Sequence, residues 1–496
     1  MKVLITSPPM IYWFLKFGTT EYPDIDAFKK DSMPPLSIYL LASILREKGH
    51  SVNLIDPMCH QIKFPNTNKI DINSKISNHD LFEFAKSVDY NYSEMQFPTL
   101  EKKINNVDAF CVSSTTLEWF VVKNMMERIK LNDPDIPIIL GGVHATYVDE
   151  HILKNSKTDY VVRKEGEKTL VELLNALEKN KNLKEVLGIS YKNNGKVIRN
   201  ENRKPLTIKE MEETALPAFD LMPLNTHAYI TVESSRGCKF SCAFCSIPFR
   251  NLWRGLSPEI VQKRVEHALN YTKKLIGEKI VFFVDDAFTA SKKRAKQILH
   301  NLSEINFGDA HLKFEARAND LLDIDLIRCC TKIPLQNILI GVESGYDIGL
   351  KKIRKGTTTH NIEKCASLFK KYGISEHILY SFIIGFPWET KEDCLRTIDF
   401  AYKLVSEYGG STLISWLYLL PGSYLWNNRS LYGIKQGPEI YDSIYWRSDE
   451  FRLKLVKLNK EDIIDIKKRA YGCRALSMLN DNMQFIFTDR CLVLEN

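Results

Sequence analysis

The chain has 496 residues, of which 44% are hydrophobic and 26% are charged, the composition of an ordinary globular protein. This length exceeds the size at which one hydrophobic core stops growing, so two large domains and a smaller appendage are expected. The formal charge of +7 is spread over 68 basic and 61 acidic side chains without a long basic run, which argues against a nucleic-acid-binding protein. No apolar stretch approaches the roughly 18 residues that cross a bilayer, so no membrane span is expected.

The first 190 residues alternate short apolar runs with amphipathic stretches, the pattern of βαβ units around a parallel sheet. Strands are predicted at residues 2–7, 51–56, 108–113, 136–140 and 159–163, with a β-hairpin at 187–199. The polar stretch 59–106 interrupts this rhythm and is interpreted as an insertion. The pattern therefore predicts a doubly wound, Rossmann-like parallel sheet over residues 1–200, followed by a linker at 201–225.

A second alternating series follows the linker. Its strands are predicted at residues 229–233, 279–284, 313–316, 337–340, 377–384 and 411–419, with helical patterns between them. Six βα units fall short of the eight of a closed barrel, so a partial, open TIM-like (βα)6 barrel is expected over residues 226–425, with its chemistry at the carboxyl ends of the strands. Residues 426–496 form a small C-terminal extension with an amphipathic helix near 461–471.

Three cysteines, Cys238, Cys242 and Cys245, follow the first predicted barrel strand within eight residues. The chain's eleven cysteines are otherwise scattered, which argues against a disulfide framework and favours reduced thiols in the cytoplasm. Three thiolates at this spacing indicate either zinc or an iron–sulfur cluster. A structural zinc site needs a further Cys or His nearby, but the next cysteine is Cys329 and the only close histidine is His227. Three ligands to a four-iron cluster would leave one iron open for reactivity.

The spacing C-x3-C-x2-C, with Phe244 just before the last cysteine, resembles the signature of the radical S-adenosylmethionine (SAM) superfamily. The resemblance implies a [4Fe–4S] cluster on the three cysteines, with the amino and carboxylate groups of SAM on the open iron. It also implies one-electron cleavage of SAM to a 5′-deoxyadenosyl radical, with electrons from an external reductant of flavodoxin or ferredoxin type. On the cysteines alone, a zinc-stabilised binding module is the alternative.

Further residues at the ends of the predicted barrel strands match the resemblance. The implied SAM-binding residues are Phe244, Asp285, Asp286, Arg317, Glu343, Ile384 and Gly385. The two aspartates are suited to accept from the SAM ammonium, and Arg317 to a bidentate contact with its carboxylate. The resemblance places Glu343 near the ribose and amino groups, and adenine against the apolar edge at Ile384 and Gly385. Capping, ordinary ion pairs and packing are the alternative roles of these side chains.

The order of a doubly wound domain followed by this cysteine motif resembles the cobalamin-binding class of radical SAM enzymes. That class contains anaerobic magnesium-protoporphyrin cyclase and cobalamin-dependent methyltransferases. Its N-terminal marks in this chain are residues 7–9, 34–36, 141–145 and 165–167. Ser113, Ser114, Gly141 and Gly142 lie just beyond predicted strand ends, where open α/β sheets bind ligands. The resemblance implies that these residues contact cobalamin; ordinary turn chemistry is the alternative.

The chain departs from the wider cobalamin-domain pattern because it lacks an Asp-x-His-x-x-Gly sequence, whose histidine coordinates cobalt from below. His144 is interpreted as a turn or core histidine. The leading expectation is cobalamin-dependent methylation of an unactivated carbon in a small-molecule substrate, and the first alternative is oxidative cyclisation or ring rearrangement. Methylthiolation of tRNA needs a second three-cysteine cluster, but only Cys59 and Cys111 precede the motif. No residue is assigned a catalytic role.

Overall fold

The computed structural model describes residues 1–8, 32–59, 96–443, 445–478 and 484–488. The chain divides into two compact units. The first unit contains Met1–His227 together with Gln436–Trp446, and the second contains Ala228–Lys435 with the described residues from Arg447 onward. Most of the predicted insertion at 59–106 lies outside the described residues. No helix in the described part of the chain is long and apolar enough to cross a membrane.

The first unit contains a seven-stranded sheet. Its strands are β1 (Lys2–Thr6), β2 (Ser51–Ile55), β3 (Ala109–Ser113), β4 (Ile138–Gly141), β5 (Tyr160–Val162), β6 (Ile189–Asn193) and β7 (Lys196–Arg199). The spatial order is β2-β1-β3-β4-β5-β6-β7, with parallel pairing through β5 and antiparallel pairing for the final hairpin. An order of 2-1-3-4-5 defines a doubly wound fold, so this part of the predicted fold is confirmed.

The helices of the first unit follow the strands. They are α1 (Leu36–Glu47), α2 (Pro98–Ile104), α3 (Trp119–Asn132), α4 (Val143–Asn155), α5 (Gly166–Glu178) and α6 (Ile208–Glu212). The first helix begins directly after Pro35 and ends before Gly49, whose φ of 84° lets the chain turn back toward β2. The central strands β1, β3 and β4 are almost wholly buried, as expected for parallel strands covered on both faces.

A buried polar network closes the first unit. His227 Nε2 lies 2.9 Å from Asp56 Oδ2, and His227 Nδ1 lies 2.6 Å from the Ser32 hydroxyl. Tyr39 donates to the same aspartate. This is the hydrogen-bond order of a Ser–His–Asp triad, but Ser32, Asp56 and His227 are each at most 2% exposed. Because no substrate reaches them, the network is a structural feature that ties the region before α1 to the end of the unit.

The second unit contains a seven-stranded parallel sheet. Its strands are β8 (Tyr229–Val232), β11 (Lys279–Phe283), β12 (Ala310–Ala316), β13 (Leu335–Glu343), β14 (Ile378–Ile384), β15 (Ser411–Trp416) and β16 (Gln484–Thr488). The short strands β9 (Ser235–Arg236) and β10 (Arg254–Gly255) form a separate ribbon. The order is β16-β15-β14-β13-β12-β11-β8, so β8 and β16 are the edges of an open barrel. The six predicted strands are confirmed, and β16 is an addition that the sequence pattern did not predict.

Helices separate the strands of the second unit. They are α7 (Pro258–Leu269), α8 (Lys292–Ser303), α9 (Ile324–Cys330), α10 (Asp347–Lys352), α11 (Thr359–Lys371), α12 (Lys391–Tyr408), α13 (Tyr424–Asn427), α14 (Asp449–Leu455) and α15 (Lys460–Met478). Burial alternates along β12, β14 and β15. The buried face of β14 packs toward helix α12, where Phe382 meets Phe400 at 6.4 Å between ring centroids. The opposite, less buried face lines the inside of the open barrel and is called the lumen face below.

Candidate functional sites

The cysteine loop follows β8 and folds back on itself through backbone contacts. Gly237 has a φ of 85°, and a Cβ there would overlap the carbonyl oxygen of Leu252, so only glycine fits. The amide of Cys238 donates to the carbonyl of Phe249 at 3.1 Å. The amide of Cys245 donates to the carbonyl of Cys242 at 3.2 Å. These bonds gather the three cysteines into one short loop at the carboxyl end of the first barrel strand.

The cysteines of the loop are buried in surroundings that disfavour the charged thiolate form unless a metal is bound. Burial raises the pKa of the Cys238 thiol and raises that of Cys245 to about 11. A bound metal removes that cost, because a coordinating thiol is held deprotonated. Arg317 brings a positive charge to the sulfurs: its Nη1 lies 3.8 Å from Cys242 Sγ, and its guanidinium stacks on Phe240 at 3.6 Å from the ring centroid.

The donor set of the loop suits an iron–sulfur cluster. Cys238, Cys242 and Cys245 are free thiols and supply the soft thiolate ligands that such a cluster requires. Among the described residues, no group of three or more His, Cys, Asp or Glu side chains is placed to hold a single metal ion.

The two aspartates after β11 contact the loop directly. Asp285 is buried and accepts from the amide of Ser234 at 2.7 Å and from the hydroxyls of Ser234 and Ser235 at 2.5 Å. Burial outweighs these bonds and raises the pKa of Asp285 to about 6. Asp286 accepts from the amide of Gly237 at 2.9 Å and is accessible to water. Asp285 thus holds the start of the loop, and Asp286 keeps an exposed carboxylate beside it.

Glu343 ends β13 and is paired inside the protein. Its φ of 73° is uncommon for a residue with a side chain, and its Oε1 lies 3.0 Å from Lys355 Nζ. Both side chains are buried, at 8% and 6% exposure. A Cβ at Gly341 would lie 2.6 Å from the Glu343 carboxylate and 2.8 Å from Lys355 Nζ, so this glycine makes room for the ion pair.

The segment after β14 is held by a carboxylate that the sequence reasoning missed. Glu389 is fully buried and accepts from the amides of Gly385 and Phe386 at 2.7 and 2.9 Å and from the Tyr346 hydroxyl at 3.1 Å. Gly385 has a φ of 82°, and a Cβ there would lie 2.7 Å from the indole of Trp416. Glu389 therefore joins the segment after Ile384 to the segment after Glu343.

Phe244 is placed beside this segment. Its ring centroid lies 6.1 Å from that of Phe386, which stacks in turn on Trp388 at 5.2 Å and 8°. The residue before the last cysteine and the apolar edge after β14 are therefore neighbours. Ile384 and Phe386 are fully buried, so the accessible aromatic surface at this edge belongs to Phe244 and Trp388, and the contact with adenine stays a prediction.

The crevice of the first unit lies at the carboxyl ends of β1 and β3, and the turn after the neighbouring strand β4 borders it. Strand order reverses between β1 and β3, which is where doubly wound sheets bind ligands. Ser113 ends β3, and the described residues give its hydroxyl no hydrogen-bond partner, so it is available to a ligand. The Ser114 hydroxyl instead donates to the carbonyl of Thr115 at 2.8 Å. A cofactor with a polar tail fits this edge, with Ser113 as the free contact.

The two glycines of the crevice differ. A Cβ at Gly141 would meet only the carbonyl oxygen of Val162 at 3.9 Å, which leaves open space in front of it. Gly142 has a φ of 99°, and a Cβ there would overlap the carbonyl oxygen of Ser114. Gly142 is therefore required by the packing of two loops, whereas Gly141 leaves room beside the crevice.

His144 is a core residue. It is fully buried, stacks on Trp119 at 5.0 Å between centroids, and meets Tyr441 edge-on at 5.7 Å. Its Nδ1 lies 3.1 Å from the Thr116 hydroxyl. Burial lowers its pKa to about 3, so the ring is neutral at physiological pH. The interpretation of His144 as a core histidine rather than a metal ligand agrees with this packing.

The structure brings the predicted residues together in two groups. The second unit gathers the three cysteines, the aspartates, Arg317, Glu343, Phe244 and the Ile384–Gly385 edge at the carboxyl ends of its strands, and the first unit gathers the serines and glycines. The sequence reasoning missed Lys355, Glu389 and Glu315. Glu315 stands in the same FEARAND segment that revealed Arg317, two positions away on the same face of a strand, and this spacing was its available signal.

A doubly wound sheet and an open parallel barrel with a three-cysteine loop at its mouth define a radical SAM enzyme of the cobalamin-binding class. The family model for the radical SAM superfamily matches residues 232–401, and that for the B12 binding domain matches residues 80–174. The chain belongs to this family, as its similarity to an uncharacterized methyltransferase of Pyrococcus horikoshii shows. The two are 32% identical over 483 residues, which are 95% of this chain and 92% of the relative.

Two further proteins are similar to this chain, one in sequence and one in fold. Anaerobic magnesium-protoporphyrin IX monomethyl ester cyclase of Synechocystis is 24% identical over 88% of this chain and 77% of its own length. The structure of the radical SAM methyltransferase TsrM from Kitasatospora setae, with cobalamin and a [4Fe–4S] cluster bound, has the same fold. Its TM-score is 0.65 at 13% identity, over 99% of this chain and 92% of TsrM.

Membership in the class identifies the cofactors as a [4Fe–4S] cluster, SAM and cobalamin. The cysteine loop fits the cluster. The carboxyl ends of the barrel strands beside that loop fit SAM, and the crevice with the Ser113 hydroxyl fits cobalamin. Enzymes of this superfamily typically act on small molecules and need a reductant.

Proposed function

We propose that this enzyme methylates an unactivated carbon of a small-molecule substrate. The observation that carries the proposal is the 32% identity to a relative named a methyltransferase across 95% of the chain, which includes both the B12-type domain and the barrel. When bound, the cluster supplies the electron that cleaves SAM, and cobalamin supplies the methyl group. The chain's own residues then have to bind, orient and enclose these groups.

The proposed roles in the second unit follow from contacts. Cys238, Cys242 and Cys245 hold the cluster. Arg317, already beside Cys242, binds the SAM carboxylate, since a guanidinium suits a bidentate contact. Asp286 has an accessible carboxylate at the loop and accepts from the SAM ammonium. A role for Asp285 in contacting SAM stays a prediction, because its oxygens are engaged by serines.

The adenine of SAM packs against Phe244 and the edge formed by Ile384 and Gly385. In the first unit, Ser113 and Gly141 contact cobalamin, with Ser114 and Gly142 shaping the loop. Each of these residue roles rests on placement at a strand end and on the open or free groups described above.

We assign residues 1–200 to the cobalamin-binding domain, 201–225 to a linker, 226–425 to the radical SAM core and 426–496 to an extension.

Oxidative cyclisation or ring rearrangement is the second candidate. It is favoured by the 24% identity to a cyclase over 88% of the chain. This activity uses the same cofactors and the same cysteine loop, so the residues in the two sites do not separate the two candidates. The products formed from SAM do.

We further propose a flavodoxin or ferredoxin as the reductant and the cytoplasm as the location. All ten cysteines within the described ranges are free thiols, which supports a reducing compartment. The mild net charge of +7 supports a substrate other than nucleic acid.

The test is anaerobic reconstitution with iron, sulfide and hydroxocobalamin, followed by metal analysis, a visible spectrum and product analysis with SAM, reductant and a set of candidate acceptors. About four irons per chain with bound corrin and 5′-deoxyadenosine are expected. A methyltransferase also forms S-adenosylhomocysteine and transfers a trideuteromethyl label from SAM. Turnover to 5′-deoxyadenosine and a product without the label would favour cyclisation, and a protein that binds zinc alone would contradict both candidates.

A further inference from the structure

An exposed surface beside the cysteine loop carries basic side chains without acidic partners. Lys351 and Lys352 occupy the last turn of α10, and Arg354 follows that helix. All three side chains are exposed, and the described residues give none of them an ion pair. The acid on the same helix, Asp347, accepts from the amide and the hydroxyl of Thr359 at 2.8 and 3.1 Å. The surface is therefore positively charged in the folded chain.

Large apolar side chains lie at the same surface. Ile348 stands one turn before Lys352 on α10 and is 66% exposed. The Lys352 ammonium lies 5.6 Å from the ring centroid of Trp388, and that ring lies 6.0 Å from the ring of Tyr432. Leu431 precedes Tyr432 in the chain and is 74% exposed. Exposed apolar side chains bordered by charged ones mark surfaces that bind another protein.

Backbone hydrogen bonds join this surface to the cysteine loop. Ala243 lies between the second and third cysteines, and its amide donates to the carbonyl of Ile353 at 2.9 Å. Its carbonyl accepts from the amide of Leu425, on α13, at 3.0 Å. The guanidinium of Arg354 stacks on Tyr424, also on α13, at 3.8 Å from the ring centroid. Neither segment belongs to a barrel strand, so the surface is adjacent to the metal loop but separate from the lumen face.

We propose that the reductant docks on this surface and that it is an acidic flavodoxin. The docking face consists of Ile348, Lys351, Lys352, Arg354, Leu431 and Tyr432. Its basic side chains attract an acidic protein and speed its association. Leu431 and Tyr432 offer apolar and aromatic contacts to the exposed edge of a flavin. A second copy of this chain would bring the same positive charge to the face and would be repelled.

The proposal rests on the proposed function, which requires one electron at the cluster for each cleavage of SAM. The anionic flavin hydroquinone of the partner loses one electron, the cluster gains it, and no atom or proton is transferred. The residues of the docking face hold the partner beside the loop that binds the cluster. They take no part in binding SAM, so their replacement should affect the delivery of the electron and leave the later steps unchanged.

The first experiment measures the affinity of the anaerobically reconstituted holoenzyme for an acidic flavodoxin. A double variant, Lys351→Glu with Lys352→Glu, should weaken this binding by about tenfold or more at low ionic strength. The difference from the wild type should shrink as salt is added, because exposed charges are screened. The matched control is Lys370→Glu with Lys371→Glu. These lysines are exposed in the last turn of α11, which leads to the amino end of β14, and their replacement should leave the affinity unchanged.

Turnover with two reductants separates docking from catalysis. With flavodoxin hydroquinone, the double variant should form 5′-deoxyadenosine more slowly than the wild type. With dithionite, which needs no docking surface, the two proteins should have equal rates and equal iron content. Unchanged flavodoxin affinity in the Lys351 and Lys352 variant would overturn the proposal, and so would an equal loss in the control. A wild-type protein that forms no 5′-deoxyadenosine with dithionite would contradict the proposed function instead.

Leu431→Ser tests the apolar part of the docking face. Since this side chain is largely exposed, its replacement should spare the fold and weaken flavodoxin binding by about fivefold at low and high salt alike. Leu131→Ser is the matched control, because Leu131 is 72% exposed on α3 and lies outside the docking face. Equal effects of the two substitutions would overturn the apolar contact. A dimer of the wild type in sedimentation that the lysine double variant abolishes would assign the face to a second copy and overturn the proposal.

Discussion

Glu389 allows a quantitative prediction because it is fully buried while holding two backbone amides. Burial raises the pKa of this carboxyl from 4.5 to about 7, despite the bonds from Phe386, Tyr346 and Gly385. Its folded pKa lies above its unfolded value. The site therefore contributes most stability below about pH 4.5, and that contribution is lost as the pH rises from about 4.5 through about 7. Above this range the buried charge lowers the free energy of unfolding by about 3 kcal/mol relative to its value at low pH.

Two substitutions separate the charge from the hydrogen bonds. Glu389→Gln mimics the protonated acid, since its amide oxygen accepts from the amides of Gly385 and Phe386 and its NH2 group faces the Tyr346 oxygen. Glu389→Ala leaves both buried amides without an acceptor, at about 1–3 kcal/mol each. Between pH 5.5 and pH 8 the wild type should lose about 2 kcal/mol relative to Glu389→Gln. The alanine variant should be destabilised at both values.

The assay is thermal unfolding at the two pH values, combined with hydrogen exchange of the peptide that contains Gly385 and Phe386. Exchange should stay slow in Glu389→Gln and become fast in Glu389→Ala. Glu392→Gln, on the exposed first turn of α12, is the control and should show no comparable pH dependence. If Glu389→Gln were destabilised as much as Glu389→Ala at pH 8, the reasoning about the buried charge would be refuted.

Three further predictions concern the cluster and the first unit. Cys242→Ala should abolish iron loading and SAM cleavage with the fold retained, whereas Cys329→Ala, outside the loop, should load about four irons as measured by metal analysis. Gly142→Ala should destabilise the first unit by about 3 kcal/mol or more, because the new Cβ overlaps a neighbouring atom and the φ is unfavourable for alanine. Gly195→Ala is the control, since a Cβ there has no atom within 4 Å, and it should cost about 1 kcal/mol. Denaturant unfolding measures both. Burial alone would raise the pKa of Asp442, but bonds from His151 and Trp119 and the charge of Lys123 lower it to about 2. Asp442→Asn should therefore lower the free energy of unfolding by about 2 kcal/mol at pH 7. Unfolding curves should show this difference between variant and wild type disappear as the pH falls from about 4 to about 2.

The sequence predicted those parts of the fold that follow from local patterns. Alternating and continuous apolar runs located β1 to β5 and six strands of the barrel, and the spacing of three cysteines located the metal loop. The contacts of Asp442 could not be predicted in this way. It accepts from Trp119, 323 positions away in the chain, because residues Gln436–Trp446 pack within the first unit. Such pairing depends on the path of the folded chain, which no local pattern encodes.

The hydrogen-bond partners of each acid explain why motif spacing alone identifies candidate residues incompletely. Asp285 and Glu389 stand beside recognisable segments, and the structure engages both with protein donors, so their replacement should act on the loops that they hold. If this reasoning is correct, Glu389→Ala lowers stability and speeds exchange of the Gly385 and Phe386 amides while iron loading by the cysteine loop is retained. Loss of iron loading in a folded Glu389→Ala protein would show that this carboxylate also supports the cysteine loop.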